Sequence, residues 1–318
     1  MNLLLKIWLL AGAVRSASPQ PLHEGEGVAL HDVWRSWNWP PAVVLVLLLM
    51  AGTYSLGWWR LRRQGYRRLA SGWRLAAYLG GLAVLALALL SPIDTLQSLL
   101  FAMHMVQHEL LMMVAPPLLF LGNPFPIALW GMPAGLRRAI GEFLAPQTAF
   151  RRGFQRLTAP WVAWVLYVGA LWLWHAPTAY DAALRYEPIH DLEHITFFGT
   201  ALLFWWHVVG AAPHIHGFSG FGTRIGYVLA ALVQNEVLAV SISLADRVLY
   251  TYYETVPRLW GLSVLQDQEL GGAIMWIPGG MMYVLAAIIL IACLLDWEEK
   301  KTSREVGGEV RSLEHVMS

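Results

Sequence analysis

Long apolar stretches alternate with short polar ones along most of the chain. Seven of them, at residues 41–59, 73–90, 94–122, 161–175, 191–209, 225–244 and 269–295, approach or exceed the length needed to cross a bilayer as a helix. They predict an all-α polytopic bundle of seven transmembrane helices, forming one membrane domain over 41–295. Composition agrees: 57% of residues are hydrophobic and 14% charged, against about 25% charged in soluble domains.

The polar punctuation sets the topology. With the segments 60–74, 122–160 and 210–224 and the tail on one side, that side collects sixteen Lys and Arg; the other side, from residue 18 onward, has four. The positive-inside rule then puts the tail inside and the arm at 18–40 outside. That arm is rich in Pro and Trp and reads as interfacial; its His23 and His31 read as solvated side chains. Residues 1–17 read as a signal peptide or a short N-terminal helix, with Arg15 spoiling the cleavage pattern. The charged stretch 296–318 is expected to be a mobile cytoplasmic tail, and 136–144 a short interfacial helix. The topology already accounts for the clustered arginines, so nothing calls for nucleic acid as a partner; the bilayer is the partner. Cys293, the single cysteine, excludes an internal disulfide and any multi-cysteine metal site.

Chemistry enters at 94–122, DTLQSLLFAMHMVQHELLMMVAPPLLFLG, read as one long helix starting at Asp94. His104 and His108 are four apart and share a face, and Met112 continues the stripe. Counted from Asp94, His104 lies ten residues in, about 15 Å. Pro116 and Pro117 predict a break below the histidines. His190 and His194 repeat the four-residue spacing at the start of the fifth span, and His175 ends the fourth. These five histidines fall on the side opposite most of the arginines; His207, His214 and His216 do not. Ionisable groups at membrane depth usually face the bundle interior and mark a site, and imidazole with thioether suits copper. The candidate ligands are therefore His104, His108, His175, His190 and His194, with Asp94, Met112, Glu193, Asp267 and Met275 as accessory candidates. Methionine also fills irregular gaps in helical cores, which is the plainer reading of Met112 and Met275. The run 266–280, with Gly271, Gly272, Pro278, Gly279 and Gly280, predicts close packing and a kink. Residues 190–194, HDLEH, match the H-x-x-E-H zinc-peptidase pattern, a short motif that chance often produces. Paired histidines on neighbouring spans also suit axial ligation of haem.

Four ordered motifs carry a resemblance: MHMVQHELLMMVAPPLLFLGNP at Met103–Pro124, LWLWHAPTAYDAAL at Leu171–Leu184, HDLEHITFF at His190–Phe198 and DQELGGAIMWIPGG at Asp267–Gly280. Together they resemble the multi-span CtaG-type family of bacterial cytochrome c oxidase assembly factors, over roughly residues 35–295; Glu269 is more acidic than that pattern leads one to expect. The resemblance implies a multi-pass protein of the bacterial inner membrane that matures caa-type haem–copper oxidases and is not an enzyme. It implies copper as the cargo, an extracytoplasmic copper donor, the oxidase catalytic subunit as recipient, and the five histidines as an outward-facing pocket. A metal-free chaperone for the oxidase subunit, a haem-binding protein and an intramembrane metalloprotease are the competing readings.

Overall fold

The structure is a computed structural model describing residues 35–145, 147–217 and 220–317, with side chains as far as Ser303. Residues 1–17, and the part of the 18–40 arm with His23 and His31, lie outside the described residues. Every regular element among the described residues is helical. Proline opens several helices, at Pro41, Pro92, Pro124, Pro160 and Pro177, where its missing N–H costs no hydrogen bond. The order is α1 (Pro41–Arg63), α2 (Gly72–Leu90), α3 (Pro92–Leu96), α4 (Phe101–Leu121), α5 (Pro124–Gly131), α6 (Ala134–Phe143), α7 (Ala149–Leu157), α8 (Pro160–Trp174), α9 (Pro177–Arg185), α10 (Glu187–Val209), α11 (Phe221–Ser243) and α12 from Val264.

Four helices are long and apolar enough to cross a membrane: Pro41–Arg63, Gly72–Leu96, Phe221–Ser243 and Val264–Ser303. Two bent pairs raise the number to six: α4 with α5, at 66°, and α7 with α8, at 50°. Helix α10 has 23 residues, about 35 Å at the helical rise. Its first third carries His190, Asp191, Glu193 and His194, which keeps it out of an apolar count.

Helix α4 is the wedge of the bundle. It supplies Met112 and Met113 to one buried cluster with Tyr167, Phe204 and Tyr283. Leu111, Ala115 and Leu119 join a second with Tyr54 and Tyr78. Phe101 and Met105 join a third with Tyr180, Tyr250 and Tyr253. Glycine lets α12 come close: a Cβ on Gly271 would collide with the Phe101 ring.

Two expectations need correction. The first concerns where the third span begins. Asp94 belongs to the separate short helix α3, Leu100 is extended, and α4 starts at Phe101. His104 is thus one turn from its helix start rather than ten residues in. The second is the break at Pro116–Pro117. The helix does not stop there; it widens into a π segment at Leu110–Val114 and continues to Leu121. The two prolines offer no N–H to the Met112 carbonyl in either α or π register. The Trp205 indole of α10 donates to that carbonyl instead, at 2.8 Å. A matching π segment, Met275–Gly279, surrounds Pro278 in α12, where Asn235 Nδ2 donates to the Met275 carbonyl at 3.0 Å. Helix α12 runs on through the charged tail as far as Met317. Lys300 pairs with Asp296 at 2.6 Å across one turn, the i,i+4 arrangement that supports exposed helices. The short helix expected at 136–144 is present as α6.

Candidate metal centre

The centre is assembled from helix ends. A Ser263–Gln266 capping box starts α12 and places Asp267 one turn in, fully buried. Its carboxylate reaches across to α4, accepting the Phe101 N–H at 2.9 Å and the Ala102 N–H at 3.0 Å. Arg258 holds the same carboxylate at 3.2 Å. One helix therefore caps another, satisfying two of the orphan donors of the first turn of α4. That fixes His104 and, a turn later, His108.

On α10, His190 and His194 present the second pair. The ring centroids are 4.2 Å apart for His104 and His108 and 4.1 Å for His190 and His194. Across the helices, His104 is 5.4 Å from His190, and His108 is 5.6 Å from His194. Glu193 points between the pairs. Its Oε2 is 3.7 Å from His104 Nε2 and its Oε1 3.8 Å from His108 Nε2, too far for hydrogen bonds. Ligand atoms of His104, His190 and His194 lie within 4.8 Å of one another, as do those of His104, His108 and Glu193. His175 stands at the edge, its ring 6.2 Å from His108. Its Nδ1 donates to the Leu171 carbonyl at 2.7 Å, so the Nε2 lone pair is left for the cluster.

A layer of tyrosines covers His104. Tyr180 Oη lies 2.6 Å from His104 Nδ1 and 3.3 Å from Tyr253 Oη, and Tyr253 donates to the Gln97 carbonyl at 2.9 Å. Burial pushes both hydroxyls well above the ordinary tyrosine range, so they stay protonated. The chain ends on a carbonyl, which cannot donate. Protons therefore run from His104 Nδ1–H to Tyr180, to Tyr253, to Gln97 in the order that leaves a lone pair on His104 Nε2. A second partner that fixes tautomer and ring orientation in this way is characteristic of metal-ligating histidines. His104, His108, His175 and Glu193 are buried, whereas His190 and His194 are half-buried and form the mouth.

The donor chemistry fits a metal ion. His104 Nε2, both nitrogens of His108, His175 Nε2 and both oxygens of Glu193 are buried with no hydrogen-bond partner among the described residues. Buried polar groups nearly always have one. Imidazole nitrogens with one carboxylate form a ligand set that zinc and copper both accept.

Of the accessory candidates, Glu193 is central. Met112 and Met275 line a narrow cavity below His108 and His175. Asp94 stands apart, accepting from Gln107 Nε2 at 3.0 Å, and Asp267 spends its oxygens on the cap. The sequence reading does not single out Tyr180, although it lies inside a quoted motif, nor Tyr253, which sits in a connector without periodicity. It also passes over Glu109, which faces the same narrow cavity; a Cβ on Gly279 would lie 2.6 Å from its carboxylate. That glycine makes room for an acid as well as for a neighbouring helix.

The pattern described as cytochrome c oxidase caa3 assembly factor matches residues 52–296. Among curated proteins, an uncharacterized protein of Mycobacterium bovis is 28% identical over 281 residues, covering 85% of this chain and 41% of its own length. An uncharacterized protein of Mycobacterium leprae is 27% identical over 282 residues, covering 85% of this chain and 40% of its own length. The chain thus spans less than half the length of these relatives. No solved structure matches it.

Proposed function

The chain belongs to the cytochrome c oxidase caa3 assembly factor family, and from that premise we propose that it binds copper in the histidine cluster and passes it to the oxidase catalytic subunit. The observation that carries this reading is the convergence of His104, His108, His190, His194 and Glu193 from two helices. His104 Nε2, both nitrogens of His108 and both oxygens of Glu193 are buried with no hydrogen-bond partner among the described residues. In this reading α10 is a seventh crossing, and the Arg-rich loops face the cytoplasm of a bacterial cell. The cluster then lies toward the extracytoplasmic side, within reach of a copper donor outside the inner membrane. Copper enters past His190 and His194 and rests between His104 and Glu193, with His108 and His175 behind. The thioethers of Met112 and Met275 below favour the cuprous ion. The protein's own contribution is to hold the imidazoles of His104 and His175 at fixed tautomers and to exclude water; no covalent bond is made or broken.

The test is metal content and visible absorption of detergent-purified protein, wild type beside His104→Ala/His108→Ala. Copper at about one per chain, the load this ligand supply supports, and lost in the double variant, is the expected result. A Soret band in the wild type would move the site to haem. Absence of both metal and haem would favour a metal-free chaperone for the oxidase subunit. Zinc together with a Glu193-dependent cleavage activity would favour the peptidase reading of HDLEH.

A further inference from the structure

The narrow cavity below the histidines carries a different set of donors. Met105 and Glu109 of α4 are four apart and share a helix face, and Met112 and Met113 follow one turn further on; all four line the cavity, and Met275 lines it from α12. Methionine by itself fills gaps in helical cores. Here an acid stands among the methionines. Among the described residues no hydrogen bond or ion pair reaches the Glu109 carboxylate, and burial alone acts on it. A lone carboxylate at membrane depth is costly and marks a site by default.

The surroundings are built to keep that acid in place. A Cβ on Gly279 would lie 2.6 Å from Glu109 Oε1, so the π segment Met275–Gly279 of α12 supplies a thioether at one end and room for the acid at the other. Tyr167 Oη donates to Met113 Sδ at 3.2 Å and lies 2.7 Å from Tyr283 Oη. That contact occupies the Met113 sulfur and leaves the thioethers of Met105, Met112 and Met275. The cavity measures about 10 Å³, near the least volume that holds one water. It admits one bare ion and excludes a hydrated one. His108 stands in the wall between this cavity and the histidine cluster, and both its ring nitrogens are buried without a hydrogen-bond partner among the described residues.

We propose that this cavity is a second seat for a cuprous ion, held by the Glu109 carboxylate and the thioethers of Met105, Met112 and Met275. Thioethers are soft, neutral ligands that select the cuprous ion over zinc and over hard divalent cations. One carboxylate cancels a single positive charge, so the occupied seat is neutral, as a site away from water requires. A divalent ion would leave a net charge buried there. His108 touches both sites, so an ion moving from nitrogen to sulfur ligands stays coordinated and crosses without rehydration. The choice of ion rests on the copper reading of the histidine cluster; the seat itself rests on the cavity, its acid and its thioethers.

The experiment titrates the full chain in detergent, anaerobically with ascorbate, with cuprous ion against the chromophoric chelator bathocuproine disulfonate. Copper K-edge X-ray absorption is recorded at one and at two equivalents. The wild type is expected to take about two cuprous ions per chain at saturation, one for each ligand set. One ion has nitrogen and oxygen neighbours, and the other adds sulfur. Zinc is expected to fill the histidine cluster alone. Glu109→Gln is expected to keep the nitrogen-bound ion and weaken the sulfur-bound one by more than about 10-fold, the loss that even a ligand's supporting partner causes when removed. His104→Ala is expected to do the reverse. Should Glu109→Gln fail to fold, the wild-type spectrum at two equivalents decides. Saturation at one nitrogen-bound ion, a second ion without sulfur neighbours, zinc in the second seat, or an undiminished second affinity in folded Glu109→Gln overturns the inner seat and leaves the histidine reading standing. A sulfur-bound ion with no nitrogen-bound one keeps the seat and sinks the histidine reading instead.

Discussion

The cap that α12 places on α4 can be removed by a single substitution. Asp267 is fully buried and uses a different oxygen for each of two amides, Oδ2 for Phe101 and Oδ1 for Ala102. Asp267→Ala leaves both N–H groups buried without an acceptor. Each orphan costs about 1–3 kcal/mol, and loss of an N-cap alone costs about 0.5–2 kcal/mol. These describe overlapping effects, so about 3 kcal/mol is the reasoned total. Arg258 is partly exposed at 27%, and water replaces its lost partner at little further cost. Asp267→Asn keeps the shape but only one oxygen, and its amide group meets the second N–H donor to donor. It is therefore expected to lose most of the same stability, whereas Asp267→Glu retains two acceptor oxygens. For a chain of this size a loss of about 3 kcal/mol lowers Tm by roughly 4–5 °C. Tryptophan fluorescence during thermal unfolding in detergent reads the shift, and hydrogen exchange at Phe101 and Ala102 reads the cap directly. An unchanged Tm in Asp267→Ala, with those two amides still protected, would refute the capping argument and reopen a ligand role for this carboxylate.

Three other outcomes follow from particular contacts. Tyr180→Phe removes the partner of His104 Nδ1 and is expected to weaken metal affinity about 10–100-fold while the fold is kept; competition with a chromophoric chelator measures it. Trp205→Phe leaves the Met112 carbonyl without its donor, and thermal unfolding should record a loss of about 1–3 kcal/mol. Gly271→Ala drives a methyl into the Phe101 ring and is expected to cost about 1–3 kcal/mol; the double variant Gly271→Ala/Phe101→Leu should recover part of it in the same assay.

How much of this was legible in the sequence depended on the range of the interaction involved. The two histidine pairs were visible because the four-residue spacing is a local property of a helix. Their convergence was not: His104 and His190 meet only through the packing of α4 on α10. The start of α4 was hidden because Gln97 and Ser98 are too short a polar interruption to announce a break, and Leu99, Leu100 and Phe101 after them are all apolar. The residue that defines that start is 166 positions away in the chain. Prolines at 116 and 117 gave a correct warning of irregularity but the wrong form of it, because the rescue of the Met112 carbonyl depends on an indole from another helix. Tyr253 left no signal, since a residue in an irregular connector has no period to read.

The π segment at Leu110–Val114 also fixes a register. One helical residue turns the chain by about 100°, so the extra residue accommodated there sets how the histidine stripe above faces relative to the apolar stripe below. Deleting a single residue between 110 and 114 would let the helix close to α geometry. The lower half holds Ala115 and Leu119 in the cluster of α1 and α2, so the upper half would have to rotate. His104 and His108 would swing away from Glu193 and Tyr180. A chain one residue shorter at this point would keep its spans and its composition yet no longer assemble the cluster.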